Sequence, residues 1–344
     1  VQTCALPIFV RQGPDVLEAV GVVPIDRGDR VAGLRQVLLH VVVLALPERR
    51  SDGDPLGPDP VEAIGDGGHR GGALGAGDPL DVVVPLREML PGVLCRTEEV
   101  KSLDLDANEI ICDGSNGSPR RTRFDHLVIA CGSAANLNVV PGMADHAFPL
   151  KTVGDAIALR SHVLQQLELA EVCDDPAQRR WHLSFLIVGA GYSGVEVAGE
   201  INDLLRGSLR FFANIHPADI AVTLIHSRDQ ILPDIGDALR IFAREKMQED
   251  GVKILLNARV QVATPDGVGL SDGTFLRGAT IVCTIGSTPP PVIERLNVPK
   301  EKGRILTDPD LRVAGRKNVW AVGDCAQIPN AADGKPSPPT GQFA

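Results

Sequence analysis

The sequence predicts an α/β fold built on a parallel sheet, and three observations support this prediction. First, 344 residues are enough for about two domains at roughly 150 residues each. Second, an apolar strand, a glycine-rich turn, a helix and a second strand follow one another between Leu183 and Ile225. Third, a meander of short strands follows and closes with Thr280–Ile285 and Gly286. This order is typical of an α/β domain with a parallel sheet.

The composition is that of an ordinary folded chain, with 44% hydrophobic and 23% charged residues. The net charge of −10 disfavours general electrostatic binding to phosphates, so we expect no nucleic-acid partner. Every apolar run is far shorter than the roughly 20 residues that span a bilayer. The seven cysteines include no CxxC pair, so we expect free buried thiols and neither a disulfide framework nor a metal site.

Residues 1–77 differ in composition from the rest of the chain. Phe9–Gly77 contains no Lys, Asn, Thr, Tyr, Trp, Met or Cys, and all of these types occur after it. The opening octet, VQTCALPI, resembles a translated sequencing adapter. We therefore expect residues 1–77 to be adapter or wrong-frame translation without a native packed core. A genuine glycine-rich leader is the alternative.

Short strands and one long helix are predicted between residues 78 and 180. They are a short helix or turn at Asp81–Met89, an extended piece at Val93–Thr97, a hairpin across Glu99–Cys112, a buried strand at Phe124–Ala130 and a helix at Asp155–Ala170. Asp174–Arg180 is charged and contains a proline, and this composition predicts a loop or linker.

The strongest signal in the chain is the complete GxGxxG that follows the apolar strand Leu183–Val188. Gly189 permits the tight turn, Gly191 lets a pyrophosphate approach the backbone, and Gly194 lets the following helix pack closely on the sheet. The helix is predicted over Tyr192–Leu205, and the second strand over Ala221–Ile225. The sequence therefore predicts a dinucleotide-binding unit.

The end of the second strand bears on the choice between NADH and NADPH. A carboxylate is expected there to accept hydrogen bonds from the ribose 2′-hydroxyl, but this sequence has His226, Ser227 and Arg228. No negative charge at His226 repels a 2′-phosphate, and Ser227 and Arg228 are candidate contacts for one. A solvated loop is the alternative for these residues. Strict selectivity for NADH is therefore not predicted.

The remaining predicted elements complete an alternation of helices and strands. They are a helix at Ile235–Asp250 with apolar Leu239, Phe242 and Met247, a strand at Val252–Leu256, meander turns at Pro265–Gly267 and Asp272–Gly273, and a strand at Asn318–Val322 followed by Gly323 and Asp324.

From about Asp78 onward the chain resembles the type II NADH dehydrogenases. The motifs that show the resemblance are PLREML (Pro85–Leu90), FDHLVIACGS (Phe124–Ser133), FPLKTVGDAIALR (Phe148–Arg160), FLIVGAGYSGVEVAGEINDLL (Phe185–Leu205), ILP (Ile231–Pro233), NVWAVGDCA (Asn318–Ala326) and PPTGQFA (Pro338–Ala344). The resemblance implies a flavoprotein with two dinucleotide-binding domains, in which a Rossmann-like NAD(P) domain is inserted into an FAD domain that is incomplete here.

The resemblance also implies roles for particular residues. Gly323 and Asp324 would hold FAD, with the Asp324 carboxylate near the ribityl chain. Glu196 would lie beside the nicotinamide and the flavin, although a carboxylate at that position is also favoured by the helix dipole. Thr340 and Gln342 match a segment beside the flavin ring and the quinone pocket. Gly132 and Gly286 match positions where the chain passes between the two domains.

On this resemblance the chain divides into four parts: 1–77 as the leader, 78–149 as a first FAD segment, 150–286 as the NAD(P) domain and 287–344 as a second, truncated FAD segment. The glycine fingerprint that the family places near its N-terminus is not found, and residues 1–77 stand in its place. The family's C-terminal membrane-binding segment is also expected to be missing. The chain is therefore expected to be a fragment.

The implied activity is transfer of a hydride from NAD(P)H to flavin and of electrons onward to a membrane quinone. The implied location is the cytoplasmic, inner face of the cell membrane. Both a monomer and a homodimer are compatible with the resemblance. Hydride transfer needs alignment of two rings more than an acid or a base. Two alternatives remain. One is a sulfide:quinone oxidoreductase, for which Cys131 and Cys325 would be candidate thiols, and the other is a non-catalytic NAD(P)-binding module.

Overall fold

The computed structural model describes residues 8–12, 16–20, 86–90, 93–114, 117–331 and 333–337. Its first part contains β1 (Ile8–Gln12), β2 (Val16–Val20), α1 (Leu86–Met89), β3 (Val93–Arg96), β4 (Val100–Asp104), β5 (Glu109–Asp113), β6 (Pro119–Arg123), β7 (Leu127–Ile129) and β8 (Ala134–Ala135), followed by a 3₁₀ helix at Leu137–Val139. The hairpin predicted across Glu99–Cys112 is confirmed as β4 and β5, and Asn108 in its turn has a positive φ of 53°.

The middle part contains the elements of the predicted nucleotide unit. They are α2 (Met143–His146), β9 (Ala147–Pro149), α3 (Val153–Glu171), α4 (Pro176–His182), β10 (Ser184–Val188), α5 (Tyr192–Ser208), β11 (Ala221–Ile225), α6 (Asp237–Glu249), β12 (Lys253–Leu255), β13 (Val260–Thr264), β14 (Gly267–Leu270), β15 (Phe275–Arg277) and β16 (Thr280–Cys283), with 3₁₀ helices at Leu209–Phe211 and Pro217–Asp219.

The last part contains β17 (Ser287–Thr288), α7 (Pro291–Glu294), β18 (Lys300–Glu301), β19 (Arg304–Leu306), β20 (Val319–Ala321), a 3₁₀ helix at Gly323–Cys325 and β21 (Ala326–Gln327). Strand β20 pairs in parallel with β7, which lies almost 200 residues earlier in the chain. Residues of the first and last parts therefore share one hydrophobic core, which contains Ile129, Cys131, Val319 and Cys325.

The middle part is a five-stranded parallel sheet in the order β12-β11-β10-β16-β9. Both faces of β10 are covered, which explains why its sequence is continuously apolar. Phe185 and Ile187 pack with α3 and α5, whereas Leu186 and Val188 pack with the antiparallel meander β13-β14-β15. The predicted α/β class and the order strand, glycine turn, helix, strand are confirmed.

Two short strands connect the parts. β8 and β17 form an antiparallel ribbon, and the Asn136 N–H donates to the Gly286 carbonyl across 3.0 Å. Strand β9 lies before residue 150 and already belongs to the parallel sheet. Within residues 1–77 the structure describes only β1 and β2, which join β3 and β7 in one sheet. The rest of the prediction for that stretch lies outside the described residues.

One sequence prediction is wrong. Asp174–Arg180 was expected to be a loop, but Pro176–His182 is the helix α4. The Asp175 side chain caps it and Pro176 occupies the first turn, where proline has no hydrogen bond to lose. The helix predicted at Ile235–Asp250 is confirmed as α6, in which Leu239 and Phe242 are 60% and 62% exposed. Only the second half of α6 contacts the core, through Ala243 and Met247.

Candidate functional site

The glycine turn lies at the carboxyl end of β10, the central strand of the parallel sheet, where the strand order reverses: β11 and β12 lie on one side of β10 and β16 on the other. Ligands of open α/β sheets bind at such points. Gly189 has a φ of +112°, and a Cβ there would lie 2.6 Å from both Thr284 Oγ1 and Ile285 Cγ2. A Cβ on Gly194 would lie 1.8 Å from the Gly189 carbonyl oxygen. Both glycines are therefore required by close packing of the turn itself.

Gly191 differs from its two neighbours, because a Cβ built on it would meet no atom within 4 Å. It is the N-cap of α5, it supplies no capping side chain, and the first turn of α5 contains no acidic residue. The helix therefore presents unpaired backbone N–H groups and the positive end of its dipole to open space. This arrangement fits a pyrophosphate, as the sequence predicts.

Ala190 is held from both sides by the connection between β11 and α6. Its N–H donates to His226 Nδ1 across 3.2 Å, and its carbonyl accepts from the Leu232 N–H across 2.8 Å. Leu232 itself has a positive φ of 46°. The Arg240 guanidinium fixes this connection by donating to the Leu232 and Ile235 carbonyls and to Gln230 Oε1. These hydrogen bonds fix the conformation of the glycine turn.

The structure explains what His226 can offer to a ribose. Burial, with a smaller effect of Arg228, lowers the pKa of His226, so the imidazole is neutral near pH 7. Its Nδ1 accepts from Ala190, and the remaining proton is therefore on Nε2, a buried atom without a hydrogen-bond partner among the described residues. His226 consequently offers no acceptor to a ribose hydroxyl. Ser227 and Arg228 follow it and are exposed.

A second cluster of predicted residues lies at the carboxyl ends of β7 and β20. Ser133 Oγ donates to Asp324 Oδ2 across 2.8 Å, and Lys151 Nζ lies 3.3 Å from the same oxygen. Gly132 and Gly323 flank this contact, with φ of 60° and 69°. The Val322 N–H donates to the Ile129 carbonyl and keeps the two strand ends together. The structure therefore brings Gly132, Gly323 and Asp324 into one site.

The two thiols nearest this cluster are not accessible. Cys131 and Cys325 are both fully buried and hydrogen-bond to each other, which together with burial raises the pKa of Cys131 well above its ordinary value. The Cys325 thiol also lies 3.2 Å from the Val322 carbonyl. The hydrogen bond with Cys131 lowers the pKa of Cys325, but complete burial keeps both thiols away from any substrate. Within the described part of the chain, no His, Cys, Asp and Glu side chains group as a metal site.

The other candidate residues lie outside the two clusters described above. Glu196 is exposed on α5, one turn before Glu200, whose pKa is raised by burial and by the charges of Asp203 and Glu196. Gly286, with a φ of +73°, lies in the ribbon between the parts and two residues beyond Thr284. Thr284 Oγ1 lies within 3.1 Å of both the Val188 and Gly189 carbonyls. Thr340 and Gln342 lie outside the described residues.

Several residues that shape these sites were not predicted from the sequence, namely Ser133, Lys151, Leu232, Arg240 and Thr284. Ser133, Lys151 and Leu232 lie inside the motifs named above, but their contacts are with distant residues and cannot be inferred from the motifs alone. Arg240 and Thr284 lie at the ends of elements that pack beside the glycine turn. Their position beside the turn could have been inferred only from the sheet order.

Comparisons with known proteins agree with this geometry. Residues 40–338 match the family of pyridine nucleotide-disulphide oxidoreductases, so that the match begins inside residues 1–77. An internal alternative NAD(P)H-ubiquinone oxidoreductase of Solanum tuberosum mitochondria is 31% identical over 72% of this chain and 52% of its own length. A type II NADH:quinone oxidoreductase of Mycobacterium tuberculosis is 32% identical over 67% of this chain and 51% of its own length.

Solved structures share the fold. NDH2 of Plasmodium falciparum in complex with NADH has a TM-score of 0.64 and 21% identity, and the likeness covers 70% of this chain and 52% of that one. A NAD-dependent persulfide reductase of A. fulgidus has a TM-score of 0.59 and 20% identity over 75% of this chain and 44% of that one. The chain spans about half the length of the curated relatives that it matches.

Proposed function

The chain belongs to the pyridine nucleotide-disulphide oxidoreductase family, and on that premise we propose that the whole protein is a flavin-dependent NAD(P)H:quinone oxidoreductase. The resemblance to type II NADH dehydrogenases is confirmed by relatives that have this activity in their names. The observation that supports the proposal most is that one chain contains two sites, the glycine turn after β10 and the Asp324 cluster after β20, and that Lys151, between β9 and α3, contacts Asp324.

For NAD(P)H, the residues present fit the ligand. The backbone N–H groups at the start of α5 would bind the pyrophosphate above Gly191, where no side chain intrudes. His226, Ser227 and Arg228 would face the adenosine ribose. Glu196, Gly286 and the end of β16 would line the nicotinamide half. The rigid turn would hold the nicotinamide ring in one orientation, which is the main requirement of hydride transfer.

For FAD, the central part of the ligand fits. The Asp324 carboxylate is anchored by Ser133 and Lys151 and would accept hydrogen bonds from ribityl hydroxyls, beside the positive-φ turns at Gly132 and Gly323. Before β7 the sequence contains no second GxGxxG, and we assign no residue to the adenylate half. When bound, FAD supplies the two-electron chemistry between a hydride donor and a quinone.

The protein's own residues would position and shield rather than exchange protons. Thr284 and His226 fix the turn, and the buried strands β10 and β16 exclude water beneath it. Thr340 and Gln342 are proposed to lie beside the flavin ring and the quinone. We further propose that the whole protein acts at the inner membrane surface and forms a homodimer. No helix in the described part of the chain has the length and apolar character needed to cross a bilayer.

The alternative functions have less support. A sulfide:quinone oxidoreductase needs reactive thiols, whereas Cys131 and Cys325 are buried and hydrogen-bonded to each other. A purely nucleotide-binding module does not need the anchored Asp324. The proposed activity is tested by mixing the purified whole protein with FAD, NAD(P)H and a short-chain quinone. Oxidation of NAD(P)H that requires both FAD and the quinone supports the proposal. Oxidation of sulfide instead, or nucleotide binding without turnover, contradicts it.

We expect His226→Glu to raise the preference for NADH over NADPH by about 1–3 kcal/mol, because a carboxylate accepts from ribose hydroxyls and repels a 2′-phosphate. The unaltered chain should prefer NADH by no more than roughly one to two decades in affinity. Binding of both nucleotides to the full chain measures this, with His216→Glu, before β11, as the matched control. A thousandfold preference in the unaltered chain would show that another residue supplies the selectivity.

A further inference from the structure

One partly buried ion pair joins the two halves of the molecule. Lys151 Nζ lies 3.3 Å from Asp324 Oδ2, and the two side chains are 32% and 19% exposed. Leu150, next to Lys151, packs in the core of the parallel sheet, whereas Cys325, next to Asp324, packs in the core around β7 and β20. The pair therefore links residues of two separate cores that lie 173 positions apart in the chain.

Hydrogen bonds hold the backbone of Lys151 in place. Its N–H donates to Asp155 Oδ2 across 2.9 Å, and the next residue, Thr152, forms a capping box with the same Asp155. This places Lys151 at the start of the 19-residue helix α3, immediately after the edge strand β9. The position of the Lys151 backbone is therefore fixed, and only the side-chain torsions must be ordered for the contact with Asp324.

The contacts of Asp324 are one-sided. Ser133 Oγ and Lys151 Nζ both contact Oδ2, and within the described part of the chain no hydrogen bond to Oδ1 is formed. A carboxylate has two oxygens with lone pairs for several donors. Two donors on Oδ2 therefore fix the rotation of the group and leave Oδ1 for a ligand.

We propose that Lys151 is a positioning residue of the flavin site, which orients the Asp324 carboxylate from the nicotinamide-nucleotide domain and so couples flavin binding to the arrangement of the two domains. This inference rests on the proposed function, because Asp324 is the group assigned to the ribityl chain. Lys151 acts through Asp324 and need not touch the reacting atoms. Ser133 supplies the second donor from the other domain, so its contact alone does not link the two.

The test measures FAD binding to the full chain by flavin fluorescence, with FMN as a second probe that contains the ribityl chain without the adenylate. Lys151→Met should weaken FAD binding about tenfold, and Lys151→Arg should restore most of it because it keeps the charged donor. In an Asp324→Asn background, Lys151→Met should change FAD affinity by less than about twofold, because the two residues then no longer interact. NAD(P)H affinity should be unchanged in all variants.

Lys246→Met is the matched control, because Lys246 forms an exposed ion pair with Asp250 on α6. It should leave FAD affinity unchanged. If Lys151→Met does not fold, as judged by lost NAD(P)H binding, Lys151→Gln takes its place in the cycle. FAD binding that is unaffected by Lys151→Met, or that is weakened equally with and without Asp324, overturns this inference alone. Failure of the unaltered chain to bind FAD or FMN overturns the flavin part of the proposed function as well.

Discussion

Replacing Gly191 by valine should leave the fold intact and weaken NAD(P)H binding at least tenfold, or about 1.4 kcal/mol. The fold should persist because a Cβ at this position meets no atom within 4 Å. Binding should suffer because the branched side chain would fill the space above the N-terminus of α5 that the pyrophosphate requires. Titration of the folded variant with NADH and NADPH measures the loss.

Gly199→Val is the matched control for this substitution. Gly199 lies in the same helix, and a Cβ there also meets nothing within 4 Å, but it is two turns away from the glycine turn. Its NAD(P)H affinity should equal that of the unaltered chain. Unchanged affinity in a folded Gly191→Val variant would show that nucleotide does not bind at the start of α5.

Gly194→Ala should destabilise the protein by about 1–3 kcal/mol, the range for inserting a methyl group into a packed site. The added Cβ would lie 1.8 Å from the Gly189 carbonyl oxygen and 2.8 Å from Thr284 Oγ1, so the start of α5 must move away from the sheet. The midpoint of denaturant unfolding measures the loss. Since the helix start would be displaced, NAD(P)H affinity should fall in the same variant.

The sign of this effect is opposite to the usual one for such a substitution. Gly→Ala inside a helix normally stabilises a protein by roughly 0.5–1 kcal/mol. Gly199→Ala, in the same helix but with open space around it, should show that ordinary gain. If both variants gain stability, the close approach of α5 to the turn is not present in solution.

The sequence predicted the elements whose signal is local. β11 spans Ala221–Ile225 as predicted, and the positive φ values of Gly189 and Gly286 occur where a turn requires them. The error at α4 arose because a proline can either end a helix or occupy its first turn. Pro176 was interpreted as a helix breaker, but at the first turn of a helix proline is favoured. Leu239 and Phe242 have helical spacing, yet spacing alone does not show which part of a helix meets the core.

The sites were predictable only in part, since their contacts join distant residues. The glycine turn and Gly323–Asp324 each lie in one short motif. The Lys151–Asp324 pair and the Cys131–Cys325 hydrogen bond depend on how β7, β9 and β20 are arranged, which no local pattern specifies. The side chain of His226 was correctly placed at the end of β11. That its Nδ1 is already used by Ala190 follows only from the folded turn.

We propose that a nucleotide bound at the start of α5 passes a hydride to a flavin bound at Asp324 within one protein. The most direct measurement mixes the FAD-loaded full chain with NAD(P)H in the absence of oxygen and follows the visible absorption of the flavin. That absorption should be lost on adding NAD(P)H and return on adding a quinone, and the loss should be smaller in Gly191→Val at a nucleotide concentration near the Kd of the unaltered protein. Saturating NAD(P)H binding that leaves the flavin absorption of the unaltered chain unchanged would contradict the account.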